Sequence, residues 1–365
     1  MTGVRWWRPP RRDARGVTVT GPVIVALDAM GGDHAPDIVV QGAAIAMRRL
    51  PNTTFLLFGD KARLEPLVAR HKKLRDRFQI HHTDERVADD AKPSVALRAG
   101  RNSSMRLAID AVGEGRADCV VSAGNTGALM AMARFSLKMF PGIDRPAMAS
   151  ILPSQRGESV MLDLGANLEC DAENLVQFAL MGEMFARTVL GQKHPSVGLL
   201  NVGSEDMKGH EAVRAAATRL REPGSPINFF GFIEGDDIGA GTVDVVVTDG
   251  WTGNVALKTA EGTARLVTDF FRSAFRHSLT ARIGYLFASA SLGKLRKRLD
   301  PRQYNGAVFL GLNGIAVKSH GGTDALGFAN AIGVAVDMRN NGFLDLIRDG
   351  LQRLKDLAPA PAPAS

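Results

Sequence analysis

The chain has 365 residues, 45% hydrophobic and 23% charged, the composition of a globular protein whose length allows two domains or one large α/β unit. No apolar run reaches the roughly 18 residues of a membrane span, and Cys119 and Cys170 lie far apart without the spacing of a disulfide framework or a zinc site, which fits a reducing cytosol. The net charge of +7, with a pI of about 9.6, suits an acidic partner: phosphate, an acidic carrier protein, anionic lipid or nucleic acid.

Met1 to Arg15 carries five Arg and two Trp but lacks the apolar centre of a signal peptide. Residues 1–20 therefore read as a disordered basic arm or an upstream start with no role in the fold; a membrane-touching arm is the other reading. Val23 to Leu27 is the first buried strand, and it ends in Asp28-Ala29-Met30-Gly31-Gly32-Asp33-His34-Ala35-Pro36. Pro36 and Asp37 suit the first turn of a helix, which runs to Leu50. The Gly31-Gly32 pair lets backbone approach a ligand closely. It is not the dinucleotide fingerprint, and no P-loop is present. Asp28, Asp33 and His34 match no metal-ligand spacing.

Phe55 to Asp60 is the next strand, followed by a helix to about His71; Phe78 to His82 is the third strand. His81 and His82, being adjacent, point to opposite faces of it. Ser94 to Gly100 reads as a surface segment and Asn102 to Gly113 as a helix. A second strong junction is Asp118 to Ala128, where a buried strand enters the turn Ser122-Ala123-Gly124-Asn125-Thr126-Gly127 and a small-residue helix follows to about Met139. Hydroxyls, an amide and free N–H groups there suit a phosphate or an acyl-phosphate oxygen. An Asn/Thr helix cap with turning glycines is the structural alternative. Met148 to Leu152 and Ser159 to Leu164 read as neighbouring strands joined by a turn at Pro153 to Gly157. The second runs into Gly165-Ala166-Asn167, and a helix then spans Asp171 to about Leu190. A strand at Ser196 to Val202, a helix at His210 to Leu220 and a strand at Ile227 to Phe232 lead to the acidic loop Glu234 to Asp237. That loop suits a cation or basic partner, or is a solvated turn.

Asp244 to Lys258 is a β-branched strand that stops at Asp249-Gly250 and opens a helix near Trp251. Ligands in open α/β sheets sit at such junctions. Asn254 and Lys258 are four apart and share a helix face; an amide and an ammonium there can hold a phosphate or polarise a carbonyl, while a capping Asn and a solvated Lys fit as well. Two long helices follow, at Thr252 to Phe275 and Leu279 to Leu299. Ile283, Tyr285, Leu286 and Phe287, surrounded by Arg282, Lys294, Arg296, Lys297 and Arg298, suit an interfacial membrane contact or a dimer interface. Gly306 to Val317 is a small-residue apolar run ending in Lys318-Ser319-His320-Gly321-Gly322-Thr323-Asp324. The last helix holds Ala325 to Asn340, and the Pro/Ala tail Ala358 to Ser365 is expected to be disordered.

Taken together, Ala26–Asp33, Val121–Gly127, Asp163–Asn167, Glu234–Asp236, Asp249–Asn254 and Lys318–Gly321 resemble the phosphate acyltransferases of bacterial phospholipid synthesis. The resemblance covers about Val23 to Gly342. Trp251 stands where Phe is commoner in that family, Gly322 replaces a frequent Ser, and Asn201–Glu205 differs slightly. The resemblance implies transfer of a fatty acyl group from acyl carrier protein to inorganic phosphate, for the acylation of glycerol-3-phosphate. It implies a Rossmann-like three-layer α/β/α fold with a mostly parallel sheet, related to phosphate acetyltransferases and isocitrate-dehydrogenase-type enzymes. The expected layout is one catalytic unit over 21–342, with a long-helix protrusion at about 252–300 and a helix end plus tail at 343–365. A homodimer and peripheral membrane association come with the resemblance; the expected place is the cytoplasm at the inner face of the cell membrane, with contact through 282–298, and no nucleic-acid partner is expected.

The expected chemistry needs no metal, organic cofactor or covalent enzyme nucleophile. Phosphate attacks a thioester, and the site must align the dianion and stabilise the oxyanion. Ser122, Gly124, Asn125, Thr126, Gly127 and Asn254 are expected to hold phosphate with Lys258 supplying positive charge, and Asn167, Gly31, Gly32 and Asp33 to line the site. His320 would donate to the oxyanion or the leaving thiolate, with Asp324 orienting it by analogy with phosphate acetyltransferases. Asp28 and Asp33 carry negative charge and organise the first loop rather than touch phosphate. A short-chain phosphate acetyltransferase using coenzyme A and a non-enzymatic membrane-docked scaffold are the alternatives; a decarboxylating dehydrogenase lacks its dinucleotide fingerprint.

Overall fold

The structure, a computed structural model, describes residues 21–275 and 300–357, and residues 280, 285, 287–290 and 292–293 between them; for 73–75, 301 and 353–357 only the backbone is described. The predicted arm 1–20 and tail Ala358 to Ser365 lie outside these residues. So do Arg282, Ile283, Leu286, Lys294, Arg296, Lys297 and Arg298 of the basic–apolar cluster.

The apolar, β-branched runs pair into one sheet of eleven strands. They are β1 (Val23–Asp28), β2 (Thr53–Gly59), β3 (Phe78–His82), β4 (Cys119–Ser122), β5 (Ala147–Ser154), β6 (Gly157–Leu162), β7 (Val197–Leu200), β8 (Phe229–Ile233), β9 (Val245–Val247), β10 (Ala307–Leu310) and β11 (Ile315–Lys318). Their order across the sheet is β3-β2-β1-β4-β11-β10-β5-β6-β9-β7-β8. Helices cover both faces, so most strands are buried on both sides and carry continuous apolar runs. Along β1, Val25 and Leu27 point to one core and Ala26 to the other. The first core takes α1 (Asp37–Arg49), α2 (Lys61–Ala69), α6 (Ala172–Phe185), α7 (Glu211–Leu220), α10 (Ala325–Asn340) and α11 (Phe343–Leu357). The second takes α3 (Pro93–Ala99), α4 (Ser104–Gly113) and α5 (Thr126–Leu137). A smaller core lies beneath α8 (Gly235–Ala240) and the start of α9 (Gly250–Ala274).

Four segments differ from their sequence reading. Ser94 to Ala99 falls within helix α3, with Gly100 as its C-cap, and the helix buries only Ala96 and so carries no apolar period. Glu234 to Asp237 opens α8 through reciprocal capping by Glu234 and Asp237. Gly306 to Val317 is a hairpin, β10–β11, turned at Gly311 with φ +90°. The segment after Asn340 is a separate helix, α11, whose Phe343, Ile347 and Leu351 enter the core; the Phe343 ring meets Phe185 edge-on, 6.2 Å between centroids.

Strand direction decides where chemistry can gather. β1, β2, β3, β4 and β11 are mutually parallel. Three successive antiparallel pairings, β11–β10, β10–β5 and β5–β6, then reverse the direction, and β6, β9, β7 and β8 are parallel to one another. The sheet thus has two parallel halves whose carboxyl ends open at opposite edges. Helix α9 projects from the second half: of its 25 residues only Gly250 and Gly253 are buried.

Candidate active site

At the carboxyl ends of the adjacent strands β1, β4 and β11, three small-residue loops meet. Glycine makes this possible. A Cβ on Gly31 would lie 2.3 Å from Asp28 Oδ2 and 2.7 Å from the Gly124 nitrogen, and one on Gly32 would lie 2.8 Å from Ala123 Cβ. The Asp33 N–H donates to the Gly321 carbonyl at 3.1 Å, and the Ser319 N–H to the Ser122 carbonyl at 2.8 Å. Asp28, fully buried, ties the loops together from below. Its Oδ1 accepts from Ser104 Oγ and its Oδ2 from Ser122 Oγ, each at 2.6 Å, while Ser122 Oγ accepts from the Gly124 N–H at 3.0 Å. Burial pushes the Asp28 carboxyl up, against the two serine donors that favour its charged form.

Lys318, the last residue of β11, lies under this junction and is almost wholly buried. Its Nζ donates to the Ala123 carbonyl at 3.3 Å and to the Ser319 carbonyl. Burial pulls its pKa down to about 8, opposed by the charges of Asp28, Asp33 and Asp89. The ammonium lies beneath the loop that opens the N-terminus of α5, where the first N–H groups of the helix favour anions, with the carboxylates of Asp28, Asp33 and Asp89 in electrostatic reach of it. Above it, Thr126 is exposed and its hydroxyl lies at the first turn of α5.

Asn305 braces the third loop: its Nδ2 donates to Ser319 Oγ at 2.8 Å and its Oδ1 accepts from the His320 N–H at 2.9 Å. The His320 ring is exposed, with Nδ1 accepting from the Gly322 N–H at 3.2 Å. Asp324 caps α10, accepting from the Gly327 N–H at 2.9 Å, and pairs with Arg302 at 2.8 Å. Burial raises Asp324, but the Gly327 N–H and Arg302 outweigh it and hold the carboxyl below the ordinary range.

A second polar group sits at the opposite edge, at the carboxyl ends of β6 and β9. Asp163, buried, accepts from the N–H groups of Met148 (2.9 Å), Gly165 (3.3 Å), Ala166 (3.0 Å) and Asn167 (2.7 Å), and from Asn167 Nδ2 (2.8 Å). Burial pushes its carboxyl up while those donors pull against it. The first turn of α9 lies on this loop: Asp249 caps the helix, and the Gly250 N–H donates to the Asn167 carbonyl at 2.7 Å. Asn254 is exposed and faces Gly165, whose Cβ would lie 3.6 Å from Asn254 Cβ. Lys258, also exposed, pairs with Glu261 at 3.0 Å. Leu168, Trp251 and Val255 form an exposed apolar rim to this group.

The structure therefore gathers Gly31, Gly32, Asp33, Ser122, Gly124, Asn125, Thr126, Gly127, His320 and Asp324 at one edge, and Asn167, Asn254 and Lys258 at the other. Several do structural work. Ser122 is a buried brace. Asn125 is the cap of α5, its Oδ1 accepting from the Ala128 N–H at 2.8 Å and its Nδ2 donating to the Asp89 and Ala91 carbonyls. Gly127 makes room for Pro93 Cγ, 2.7 Å from its would-be Cβ. Asp324 turns to Arg302 and its own helix rather than to His320. Sequence reasoning assigned no role to Lys318, Asn305 or Ser104. Lys318 carried a signal all the same, a lone cation closing an apolar strand at a glycine-rich turn. Ser104 lies far along the chain from Asp28, and Asn305 reaches its loop across the β10–β11 hairpin, so neither carried one.

The family model described as fatty acid synthesis protein matches residues 23–346. A phosphate acyltransferase of Rhodospirillum centenum is 64% identical over 338 residues, which span 93% of this chain and 95% of that protein. One from Paramagnetospirillum magneticum is 59% identical over 344 residues, 94% of this chain and 98% of that protein. Among solved structures, a phosphotransacetylase of Streptococcus pyogenes superposes with a TM-score of 0.58 at 16% identity, covering 87% of this chain and 94% of that one. A branched-chain phosphotransacylase of Enterococcus faecalis gives 0.53 at 12% identity, over 87% and 99%. At such identities the structural likeness speaks for the α/β fold alone.

Proposed function

The chain belongs to the phosphate acyltransferase family, and from that premise we propose that it moves a long-chain fatty acyl group, reversibly, from acyl carrier protein to inorganic phosphate. The product is the acyl-phosphate that glycerol-3-phosphate acylation consumes in phospholipid synthesis. The observation that carries this reading is Lys318, a buried ammonium beneath the start of α5 in a crevice walled by glycines. In the proposed reaction a phosphate oxygen attacks the thioester carbonyl, the C–O bond forms, the C–S bond breaks, and the carrier's thiolate leaves. Thr126 and the N–H groups opening α5 hold the dianion, and Lys318 balances its charge. His320, at the rim, donates to the oxyanion or to the departing sulfur. Gly31, Gly32, Asp33 and Gly124 shape the wall. Ser122 and Asn125 keep it rigid, and Asp324 fixes Arg302 beside it.

Asn167, Asn254 and Lys258 join the same substrate only if a second copy of the chain presents its opposite edge. The proposal therefore includes a homodimer. It is supported by α9, which exposes Leu266, Val267, Phe270 and Phe271 to solvent. Peripheral contact with the inner face of the cell membrane, from the cytoplasm, belongs to the same proposal. Phe287, 88% exposed beyond α9, supports it, as does the basic sequence Lys294 to Arg298. Among the described residues no helix is long and apolar enough to cross a membrane.

The test is a phosphate-dependent transfer assay with palmitoyl-acyl carrier protein, trapping acyl-phosphate with hydroxylamine. Phosphate-dependent hydroxamate is the expected result. Product from acetyl-coenzyme A alone would replace the long-chain, carrier-linked donor with a short-chain one.

A further inference from the structure

A groove of about 320 Å³ runs between α1 and the end of α2, outside the crevice. Along α1 it is lined by Asp37, Val40, Gln41, Ala44, Ile45 and Arg48, one face at helical spacing, and across from them by Leu67, Arg70 and His71. Val40, Ala44 and Leu67 are buried and make an apolar floor. The cations collect at one end. Arg48 and Arg70 are exposed and pair with no acid among the described residues. Burial, then the charges of Arg48 and Arg70, lower the His71 pKa, so the three groups stand within electrostatic reach of one another. The chain continues there with Lys72, a further exposed cation.

The other end leads to the crevice. Asp37 opens α1 directly after the Gly31–Pro36 loop, and Arg63 of α2 donates to the Ala35 carbonyl of that loop at 3.3 Å. The groove is thus about 16 Å long, eleven residues of helix rise, with its basic end remote from the site and its acidic end beside it. An acidic amphipathic helix fits this polarity. Its apolar face meets the floor, its carboxylates meet Arg48 and Arg70, and the positive end of its dipole meets Asp37. A membrane is a flatter partner than a recess between two helices accommodates, and nothing in the groove offers an acyl chain more than its shallow floor.

We propose that the α1–α2 groove is the docking surface for an acidic helix of the carrier protein that delivers the acyl group. This rests on the carrier-linked donor proposed above. Docked this way, the carrier lies against the loop of Gly31 to Pro36, where a tethered thioester reaches the crevice. Attraction between unpaired surface charges governs encounter more than residence, so the effect belongs in KM and in its salt dependence.

The experiment compares the full-length protein with its Arg48→Glu/Arg70→Glu variant on two donors: palmitoyl-acyl carrier protein and palmitoyl-N-acetylcysteamine, a thioester with no protein attached. The variant is expected to raise KM for the carrier-linked donor by about tenfold or more and to leave kcat/KM for the small donor within about twofold. Wild-type KM for the carrier-linked donor should rise with salt, and the variant's should not. The Arg48→Lys/Arg70→Lys variant should keep the wild-type KM, because the charge remains. An unchanged KM for the carrier-linked donor, or equal losses on both donors, would overturn the proposal. So would a loss seen only in binding to phosphatidylglycerol vesicles, which would assign the groove to lipid. Wild-type turnover of the small donor but not the carrier-linked one would end the docking proposal and leave the phosphate chemistry standing; turnover of neither would end both.

Discussion

At the scale of single residues, the crevice turns on one ammonium. Lys318 is buried, its pKa is drawn to about 8, and it lies within the loops that the proposal assigns to phosphate. Removing the charge in Lys318→Met should lower kcat/KM for phosphate by about 10²–10³-fold, the usual cost of losing one preorganised electrostatic contact. Stability should move the other way. A lysine free in the unfolded chain titrates near 10.4, above its folded value, so between about pH 8 and pH 10 the unfolded state holds the extra proton and this group's contribution to stability rises with pH. Below pH 8 the ammonium is present in both states and burial is a constant cost, which the methionine removes. Lost activity with an unchanged or higher Tm at pH 7 is therefore the expected pair of results; a Tm fall matching the lost activity would make Lys318 merely structural. The wild-type profile should also decline above about pH 8, and Lys318→Arg, which stays charged, should lose that alkaline limb. The sequence displayed the glycine turns because their function is local: Gly31 and Gly124 are needed for the approach of neighbouring loops, and turns announce themselves in short windows. It hid the division of labour within them. Ser122 and Asn125 have the chemistry of ligands, and only the tertiary partners, Asp28 and the Asp89 and Ala91 carbonyls, reveal that their hydrogen bonds are already taken.

At the scale of elements, apolar period was the guide, and it failed where burial is slight or chain reversal is tight. The run Val23 to Leu27 is buried from both faces and could be little else than a strand. Helix α3 buries one alanine, so no period marked it. The run Gly306 to Val317 is apolar but for Asn313, and the turn residues Gly311 and Asn313-Gly314, the first packed 2.9 Å by its would-be Cβ from Ile143, betray that two antiparallel strands share it. The junction of β9 with α9 was legible for a different reason: Asp249 is a cap and the glycines that follow are required. A Cβ at Gly253 would lie 1.8 Å from the Asp163 carbonyl oxygen, a backbone atom that cannot turn aside. Gly253→Ala should therefore destabilise the protein by about 1–3 kcal/mol through overpacking, although alanine is the better helix former. Equilibrium urea unfolding measures it. A neutral or stabilising result would mean that α9 lifts from the Asp163 loop at little cost, and that the contact does not anchor the helix.

At the scale of the whole molecule, the two parallel halves of the sheet separate what the sequence motifs suggest is one site. Ser122, Thr126 and Lys318 belong to one edge, Asn167, Asn254 and Lys258 to the other, and no rearrangement of loops carries a strand's carboxyl end across the sheet. Symmetry offers the simplest way to bring unlike edges together, since a two-fold axis presents each copy's second edge to the other's first. The helix at the root of the second edge, α9, leaves its apolar residues without a covering in one chain, as a dimer interface would. Shared sites make a sharp prediction about mixtures. Lys318→Met and Asn254→Ala proteins, each deficient alone, are unfolded together and refolded as a mixture. Half of the dimers are then mixed, and each mixed dimer has one site with both substitutions and one with neither, so about a quarter of the wild-type activity should return. If each chain carries its whole site, mixing restores nothing, because every site retains a substitution. If Asn254→Ala alone is fully active, the second edge plays no part in the reaction, and its asparagines serve only to seat α9.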